Sequence, residues 1–201
     1  MTPVRPSPWP EPLVRVALRP HPSASCDAVH GLVVELGLGR PGVLAVGYRL
    51  EAEVQRLRIP GPEAGLDPAR LWAHTCFELF VAQVQADGYV EHNLSPSGQH
   101  ATFGFCGYRQ RTDDPSPSLE LSSCTEPGRL SLRATIALPS WAAAGARLSP
   151  TAVIEDAAGG LSYWAVHHPC ARPDFHHRDG FGLALSLHPS PAIALTPASA
   201  P

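Results

Sequence analysis

The sequence predicts an all-β fold, an antiparallel β-sandwich of roughly ten to twelve short strands with an immunoglobulin-like or jelly-roll-like arrangement. Two observations predict it. Apolar and polar residues alternate in short runs, most clearly from Leu130 to Leu138, where every second residue is apolar. Clusters of glycine, proline, aspartate and serine separate these runs and are typical of turns. The only predicted helix is a turn or two around 140–146, where Ser140 can cap backbone amides and alanines favour helix.

The predicted strands follow one another along nearly the whole chain. They cover residues 13–18, 32–36, 43–50, 54–59, 77–84, 89–94, 100–108, 119–122, 130–138, 152–155, 161–166 and 181–187. We expect one domain over residues 11–188, because a chain of 201 residues that is 44% apolar can bury one sizeable core. Residues 1–10 and 189–201 are proline-rich and are predicted to be flexible termini.

Composition argues against several classes of function. The net charge is only −3, and the 15 basic residues are all arginines that form no basic run, so no nucleic-acid-binding surface is predicted. Without lysine, a Schiff-base mechanism is excluded. The N-terminal segment is interrupted by prolines, and no stretch reaches the ~18 apolar residues of a membrane span, so we expect a cytoplasmic protein without a membrane partner. The five cysteines form no CxxC pair and are expected to be reduced. The oligomeric state stays open.

A β-hairpin is predicted over residues 89–105. The sequence Ser95-Pro96-Ser97-Gly98 is typical of a type I turn, which would pair Leu94 with Gln99 and Asn93 with His100. In this register one face carries Tyr89, Glu91, Asn93, His100 and Thr102. The other face carries Val90, His92, Leu94, Ala101, Phe103 and Phe105, which we expect in the core. The first face is either solvent-exposed or the wall of a polar site.

The strand before this hairpin contains one carboxylate, Glu78, between apolar neighbours. A buried carboxylate is unfavourable unless it is paired or hydrogen-bonded. Glu78 therefore either pairs with an arginine such as Arg109 or accepts hydroxyl hydrogen bonds from a ligand.

Three further stretches of sequence are distinctive: LWAHTCFELF at 71–80, YVEHNLSPSG at 89–98, and VIEDAAGGLSYWA at 153–165 with PDFHH at 173–177. In these stretches the chain resembles the DOMON-like domains, most specifically an uncharacterised bacterial branch of them. These domains are related to the family-nine carbohydrate-binding modules. The likeness covers nearly the whole chain, and it implies a β-sandwich with a ligand groove that holds sugar in some relatives and haem in others.

The resemblance also implies candidate site residues. In the sugar-binding modules a tryptophan followed six residues later by a carboxylate contributes to the site, and Trp72 and Glu78 match that spacing. A second tryptophan near the C-terminal end completes the clamp, and Trp164 corresponds to it by position. Six residues of continuous strand span about 20 Å, too far for both ends to contact one monosaccharide. We therefore expect Trp72 on a loop that folds back, with the strand beginning near Thr75.

A histidine-rich segment at 167–177 offers possible metal ligands. Its candidate ligands are His168, Asp174, His176 and His177. Adjacent histidines on a strand point to opposite faces, and two prolines stiffen the intervening loop, so the spacing favours a structural role. In that role Asp174 would accept backbone amide hydrogens in an Asx-type turn.

The leading hypothesis is a non-catalytic module that binds a small molecule, namely a carbohydrate or a similar polyhydroxylated compound, without a cofactor. Carboxylates and amides beside an aromatic platform suit hydroxyl recognition. The predicted ligand-binding residues are Trp72, Glu78, Glu91, Asn93, His100 and Trp164. An alternative is a haem- or zinc-binding β-sandwich with bis-histidine ligation, although no CxxCH motif is present. A third is a hydrolase that uses Glu78 and Glu91, but GxSxG and HExxH motifs are absent.

Overall fold

The computed structural model describes residues 9–187 and 190–196. Within them the chain forms thirteen strands and four short 3-10 turns. The strands are β1 (Val14–Pro20), β2 (Val29–Leu38), β3 (Val43–Ala52), β4 (Cys76–Gln83), β5 (Tyr89–Leu94), β6 (His100–Gly107), β7 (Gln110–Arg111), β8 (Leu119–Glu126), β9 (Arg129–Ala137), β10 (Ala146–Glu155), β11 (Leu161–Ala165), β12 (Leu183–Ser186) and β13 (Ala192–Leu195). Among these residues, no helix is long and apolar enough to cross a membrane.

The strands form two antiparallel layers, which confirms the predicted all-β sandwich. The first layer has the order β1-β2-β3-β9-β8, and the second has the order β7-β6-β5-β4-β10. Strand β10 is then flanked by β11 along one half and by β12 along the other, and β13 extends the sheet beyond β12. Strand β1 joins the layers, because 14–18 pair with β2 whereas Arg19 and Pro20 pair with β11.

The core lies between the layers, and the alternating pattern of the strands explains it. In β9, Leu130, Leu132, Ala134 and Ile136 are each at most 1% exposed, while the intervening residues face outward as predicted. Strand β4 contributes Phe77, Leu79 and Val81 from the opposite layer, all fully buried. Burial of each such large apolar side chain stabilises the fold by about 1.5–3 kcal/mol.

Strand β10 lies at the centre of the second layer and contains a proline. Pro150 pairs with Leu79 of β4 on one side. On the other side it falls between the segment paired with β12, which ends at Leu148, and the segment paired with β11, which begins at Thr151. Because no strand is paired with β10 at this point on that side, the missing N–H of the proline breaks no ladder hydrogen bond.

Three segments differ from the predicted secondary structure. Residues 54–59 were expected to form a strand, but Val54–Arg56 is a 3-10 turn, and Leu57 forms only an isolated bridge with Asp156. Around 140–146 the helix is reduced to a 3-10 turn at Ser140–Ala144, in which Pro139 occupies the capping position without a side-chain cap. In the C-terminal segment predicted to be flexible, Ala192–Leu195 forms β13, with Ile193 only 5% exposed. Residues 1–8, 188–189 and 197–201 lie outside the described residues.

Candidate functional site

The hairpin of β5 and β6 has a different register from the predicted one. The type I turn forms, because the Gly98 N–H donates to the Ser95 carbonyl at 3.0 Å. Gly98 then adopts a left-handed conformation, with φ of 89°, and so adds one residue to the loop before β6 begins. As a result Leu94 pairs with His100, not with Gln99.

This shift by one residue exchanges the side chains of β6 between the two faces of the sheet. Glu91 lies opposite Phe103, and Tyr89 lies opposite Phe105, so these phenylalanines share the outer face with the carboxylate. His100 and Thr102 move to the other face, together with His92 and Leu94. The prediction was therefore wrong about His100, which is solvent-exposed, and about Phe103 and Phe105, which leave the inter-sheet core.

A cavity of about 400 Å³ lies over the outer face of β4, β5 and β6. Of the predicted ligand-binding residues, Trp72, Glu78 and Glu91 line it. The rest of the lining comprises Ala69, Phe103, Phe105, Arg109, Arg111, Val153, Tyr163, Pro173, Phe175 and His176. A carboxylate floor with aromatic and arginine walls can accept hydrogen bonds and also offer flat apolar surfaces.

Trp72 lies on a 3-10 turn at Pro68–Ala73, and β4 begins only at Cys76, which confirms the predicted loop. Asp67 caps the turn by accepting the Ala69 amide hydrogen at 2.9 Å, and Pro68 at the first position favours the turn further. Leu71 anchors the turn in the protein interior, whereas the neighbouring Trp72 remains 45% exposed at the cavity. The tryptophan and Glu78 can therefore contact the same ligand.

Further contacts fix this loop to the sandwich. The side-chain amide of Gln99 donates to the Leu66 carbonyl at 2.8 Å and accepts the Leu66 amide hydrogen at 3.1 Å. The Thr75 hydroxyl donates to the Arg58 carbonyl at 2.7 Å and accepts the amide hydrogen of Glu155 at 3.0 Å. These contacts hold both ends of the loop that carries Trp72.

The floor of the cavity contains two buried carboxyl groups, Glu78 at 3% and Glu91 at 5% exposure. Glu78 pairs across the sheet with Asn93, so Glu91 is its diagonal neighbour, with Cα atoms about 7–8 Å apart. Glu78 Oε2 accepts a hydrogen bond from Thr151 at 3.3 Å, and Glu91 Oε1 accepts one from Asn93 at 2.7 Å. Asn93 therefore positions Glu91 and is itself fully buried.

Both carboxyl groups are harder to ionise than usual. Burial raises the pKa of Glu78 well above its ordinary value, and repulsion from Glu91 raises it further. The hydrogen bond from Thr151 lowers this pKa but does not cancel the increase. Burial also raises the pKa of Glu91, although the Asn93 hydrogen bond and the charges of Arg111 and Arg109 oppose it. A carboxyl group that holds its proton can both donate and accept hydrogen bonds. The floor can therefore bind ligand hydroxyls that act as acceptors as well as those that act as donors.

The loop at 173–177 forms one side of the cavity. Asp174 accepts the His176 amide hydrogen at 3.1 Å, which confirms the predicted Asx-type turn. It also pairs with Arg109 at 3.0 Å and accepts the Tyr108 hydroxyl at 2.7 Å. Burial raises the pKa of Asp174, but the hydrogen bonds from Tyr108, Arg109 and the His176 amide, together with the charge of Arg109, outweigh it, so the pKa lies below its ordinary value. Arg109 therefore pairs with Asp174 and not with Glu78, one of the alternatives that the sequence left open.

His176 packs over the floor, with its ring centroid 5.3 Å from that of Phe80 and 5.2 Å from that of Phe105. Its Nδ1 lies 2.8 Å from the Tyr89 hydroxyl, and its Nε2 lies 3.8 Å from Glu91 Oε2. Burial and the charge of Arg109 lower the pKa of His176 to about 4, against the opposing charge of Asp174. The imidazole is therefore neutral at pH 7, and its contact with Glu91 is polar without being an ion pair.

Arg109 enters the cavity wall from a strained turn between β6 and β7. Its φ of 54° makes it the one described residue other than glycine with positive φ. This left-handed conformation costs about 1–2 kcal/mol for a residue with a Cβ. The hydrogen bond from its amide to the Tyr89 hydroxyl at 3.0 Å and its pairing with Asp174 offset that strain.

The structure does not bring Trp164 to the cavity. Trp164 pairs with Ala152, is 5% exposed and packs in the core between the layers, where its indole N–H donates to the Ser162 hydroxyl at 3.0 Å. The preceding residue, Tyr163, lies on the outer face and lines the cavity instead. The alternation of Ser162, Tyr163 and Trp164 in β11 could have separated the two aromatic faces, but the strand alone does not say which layer each face meets.

Four further lining residues were missed by the sequence reasoning. Phe103 and Phe105 were assigned to the core through the register error, Arg111 carried no signal in the sequence, and Phe175 was noted only as part of the PDFHH stretch. Arg111 lies with its guanidinium carbon 4.2 Å from the centre of the Phe103 ring and pairs with Asp114. Phe175 packs edge-on against Tyr163, with ring centroids 6.0 Å apart.

The four candidate metal ligands have separate partners. His168 Nε2 bonds to the Arg19 carbonyl at 2.9 Å, and His177 accepts the Asp179 amide hydrogen at 3.4 Å. Asp174 and His176 make the contacts described above. Within residues 9–187 and 190–196, no group of three or more His, Cys, Asp or Glu side chains could hold a metal ion.

Comparison with a solved structure supports the fold. A solved structure from Bacteroides uniformis, described as a putative carbohydrate-binding protein, matches with a TM-score of 0.54 and 15% identity over 81% of this chain and 83% of that one. A family 9 carbohydrate-binding module from Caldicellulosiruptor kristjanssonii, solved with cellotriose, gives a TM-score of 0.48 and 11% identity over 76% of this chain and 71% of that one. No protein-family model and no curated protein matches the chain, so the DOMON-like resemblance stays a prediction.

Proposed function

We propose that this protein is a non-catalytic module that binds a carbohydrate, or a similar polyhydroxylated small molecule, in the cavity over β4, β5 and β6. The observation that carries the proposal is the position of Trp72, which lies on a folded-back turn and lines the same cavity as Glu78 and Glu91. The fold shared with the Bacteroides uniformis protein is consistent with it.

The chemistry of the lining suits a sugar. The flat apolar face of an indole matches the C–H face of a pyranose ring, and the exposed position of Trp72 leaves that face open to a ligand. Glu78 and Glu91 each use one oxygen within the protein, and no described residue donates a hydrogen bond to Glu78 Oε1 or Glu91 Oε2. These oxygens are available to ligand hydroxyls. The volume of about 400 Å³ lies within the ~300–1,000 Å³ typical of small-molecule sites.

A thermal-shift and calorimetry screen of monosaccharides and disaccharides tests this proposal. We expect at least one sugar to raise Tm, and Trp72→Ala to weaken its binding about tenfold or more, because the stacking surface is lost. Trp9→Ala is the matched control, since Trp9 packs on Arg133 of the other layer. The proposal is wrong if no sugar binds, or if the two tryptophan variants weaken binding equally.

A further inference from the structure

One carboxylate on the cavity floor has no positive partner. Glu78 is 3% exposed, and its only side-chain hydrogen bond from the described residues is the one that Thr151 donates to Oε2. Cys76 and Glu91 are its titratable neighbours on the same face of β4 and β5, and neither supplies a positive charge. A buried carboxylate in this position is stabilised by any cation that enters the cavity.

The cations of the wall are already neutralised. Arg109 pairs with Asp174 at 3.0 Å, and Arg111 forms a two-point contact with Asp114 at 2.7 and 2.8 Å. Each arginine is therefore balanced by an aspartate, although the charges of both still oppose the raised pKa of Glu91, and the charge of Arg109 lowers the pKa of His176. His176 adds no charge at pH 7, because its pKa is lowered to about 4. When the two floor carboxyl groups ionise, the cavity carries surplus negative charge.

The walls of the cavity suit a cation as well. Phe103, Phe105, Tyr163, Phe175 and Trp72 present aromatic surfaces around the floor. The negative face of an aromatic ring attracts a cation within about 6 Å of its centre. The guanidinium of Arg111 already occupies such a position over Phe103 at 4.2 Å.

From these observations we propose that the cavity selects sugars carrying a free, protonated amine, with the ammonium group bound by Glu78 and the ring against the aromatic wall. This inference rests on the proposed sugar-binding function and names the ligand class of the same site. An N-acetylated or fully hydroxylated sugar of the same ring shape offers no positive charge and binds more weakly.

The bound ammonium also favours ionisation of Glu78 and Glu91, whose pKa values are raised in its absence. Binding of the amine therefore releases protons, which a neutral sugar does not do. The other titratable groups around this site are Cys76, Tyr89, Tyr163, Asp174, His176 and the two arginines. Glu78→Gln removes one titratable group from the floor and leaves those of the walls in place. Proton release that is lost in this variant therefore depends on Glu78 and not on titration elsewhere.

The test compares glucose, galactose and mannose with their 2-amino-2-deoxy and N-acetyl derivatives by calorimetry, in two buffers of different ionisation enthalpy. The experiment is run near pH 6, about two units below the pKa of an α-amine, so that the amino sugars are cationic. We expect one amino sugar to bind about tenfold more tightly than both of its neutral counterparts, because a hydrogen bond between charged groups exceeds a neutral one.

Glu78→Gln should reduce that ratio to within about twofold and lower the proton release to the part that Glu91 contributes, whereas Glu120→Gln, an exposed control on β8, should change neither. Neutral sugars that bind as tightly as the amino sugars would overturn this inference and leave the proposed function standing. If no member of the panel binds, both fall. The ratio measured on the unmodified protein decides between these outcomes even if Glu78→Gln does not fold.

Discussion

The buried imidazole of His92 should make the stability of this protein sensitive to acid. His92 is 1% exposed on the inner face of β5, its Nδ1 lies 3.0 Å from the Thr102 hydroxyl, and its Nε2 is the one fully buried side-chain polar atom of the described residues without a hydrogen-bond partner. Burial, and to a lesser extent repulsion from His100, lowers its pKa to about 4. The folded protein therefore holds this histidine neutral.

The size of the effect follows from the difference between folded and unfolded pKa. A histidine in the unfolded chain has a pKa near 6.5, so the unfolded state takes up the proton first as the pH falls. The contribution of His92 to the free energy of unfolding is complete above pH 6.5 and is lost as the pH falls towards 4. Integration over this window gives a loss of about 2 kcal/mol at pH 5 and about 3 kcal/mol at pH 4.

Urea denaturation of the unmodified protein and of His92→Phe, between pH 8 and pH 4.5 at constant ionic strength, measures this loss. We subtract the free energy of unfolding of the unmodified protein from that of His92→Phe at each pH. This difference should rise by about 2 kcal/mol between pH 8 and pH 5, because only the unmodified protein loses the contribution of His92. Contributions of Glu78, Glu91 and His176 are common to both proteins and cancel. Thr102→Val is the control, because it removes the hydrogen bond and keeps the imidazole. A difference in stability between His92→Phe and the unmodified protein that is independent of pH would show that His92 is not the source of the acid sensitivity.

Three further predictions concern the backbone and the edges of the sheet. Arg109→Gly should be about 1 kcal/mol more stable than Arg109→Ala in urea denaturation, because only glycine tolerates the positive φ without strain; equal stabilities would contradict the strain. Gly104→Ala should lower Tm by several degrees, because the added Cβ would clash with the Asp113 carbonyl oxygen; an unchanged Tm would show that the 113–115 segment moves aside freely. Ile193→Ala should destabilise the protein by about 2–4 kcal/mol if β13 packs on the core as described; Leu195→Ala, at a 61% exposed position of the same strand, is its matched control.

The strands themselves could be predicted from sequence because alternation reports burial directly. Arg129–Ala137 is half-buried, and its pattern of apolar and polar residues matches the two faces that the structure gives it. The 54–59 segment shows where this signal fails. Its apolar residues Val54, Leu57 and Ile59 resemble those of a strand. Among residues 9–187 and 190–196, however, the segment forms a single β-bridge, between Leu57 and Asp156, and Val54–Arg56 is a 3-10 turn.

The candidate site was harder to predict because it depends on pairing between strands. Trp72 and Glu78 are six residues apart, so they could share one ligand only if Trp72 lay on a loop. The structure has this loop, the 3-10 turn at Pro68–Ala73. The register of the hairpin depended on one residue, Gly98, whose left-handed conformation is not encoded in the type I turn signature. That single residue decided whether Phe103 and Phe105 line the cavity or the core. Tyr163 was missed for a related reason, since the layer that faces each side of β11 is fixed by its partners β1 and β10.

Strand β1, which belongs to both layers, ties the beginning of the chain to its last third. Residues Arg19 and Pro20 pair with Ala165 and Trp164, and His21 Nε2 contacts the Cys170 carbonyl at 3.1 Å, across 149 positions of sequence. On the ribosome, at about 5–20 residues per second, β1 must wait roughly 7–30 s before these partners are synthesised. Until then its edge is open to other strands. Closure of the sandwich along this edge is therefore a late event, after synthesis of most of the chain.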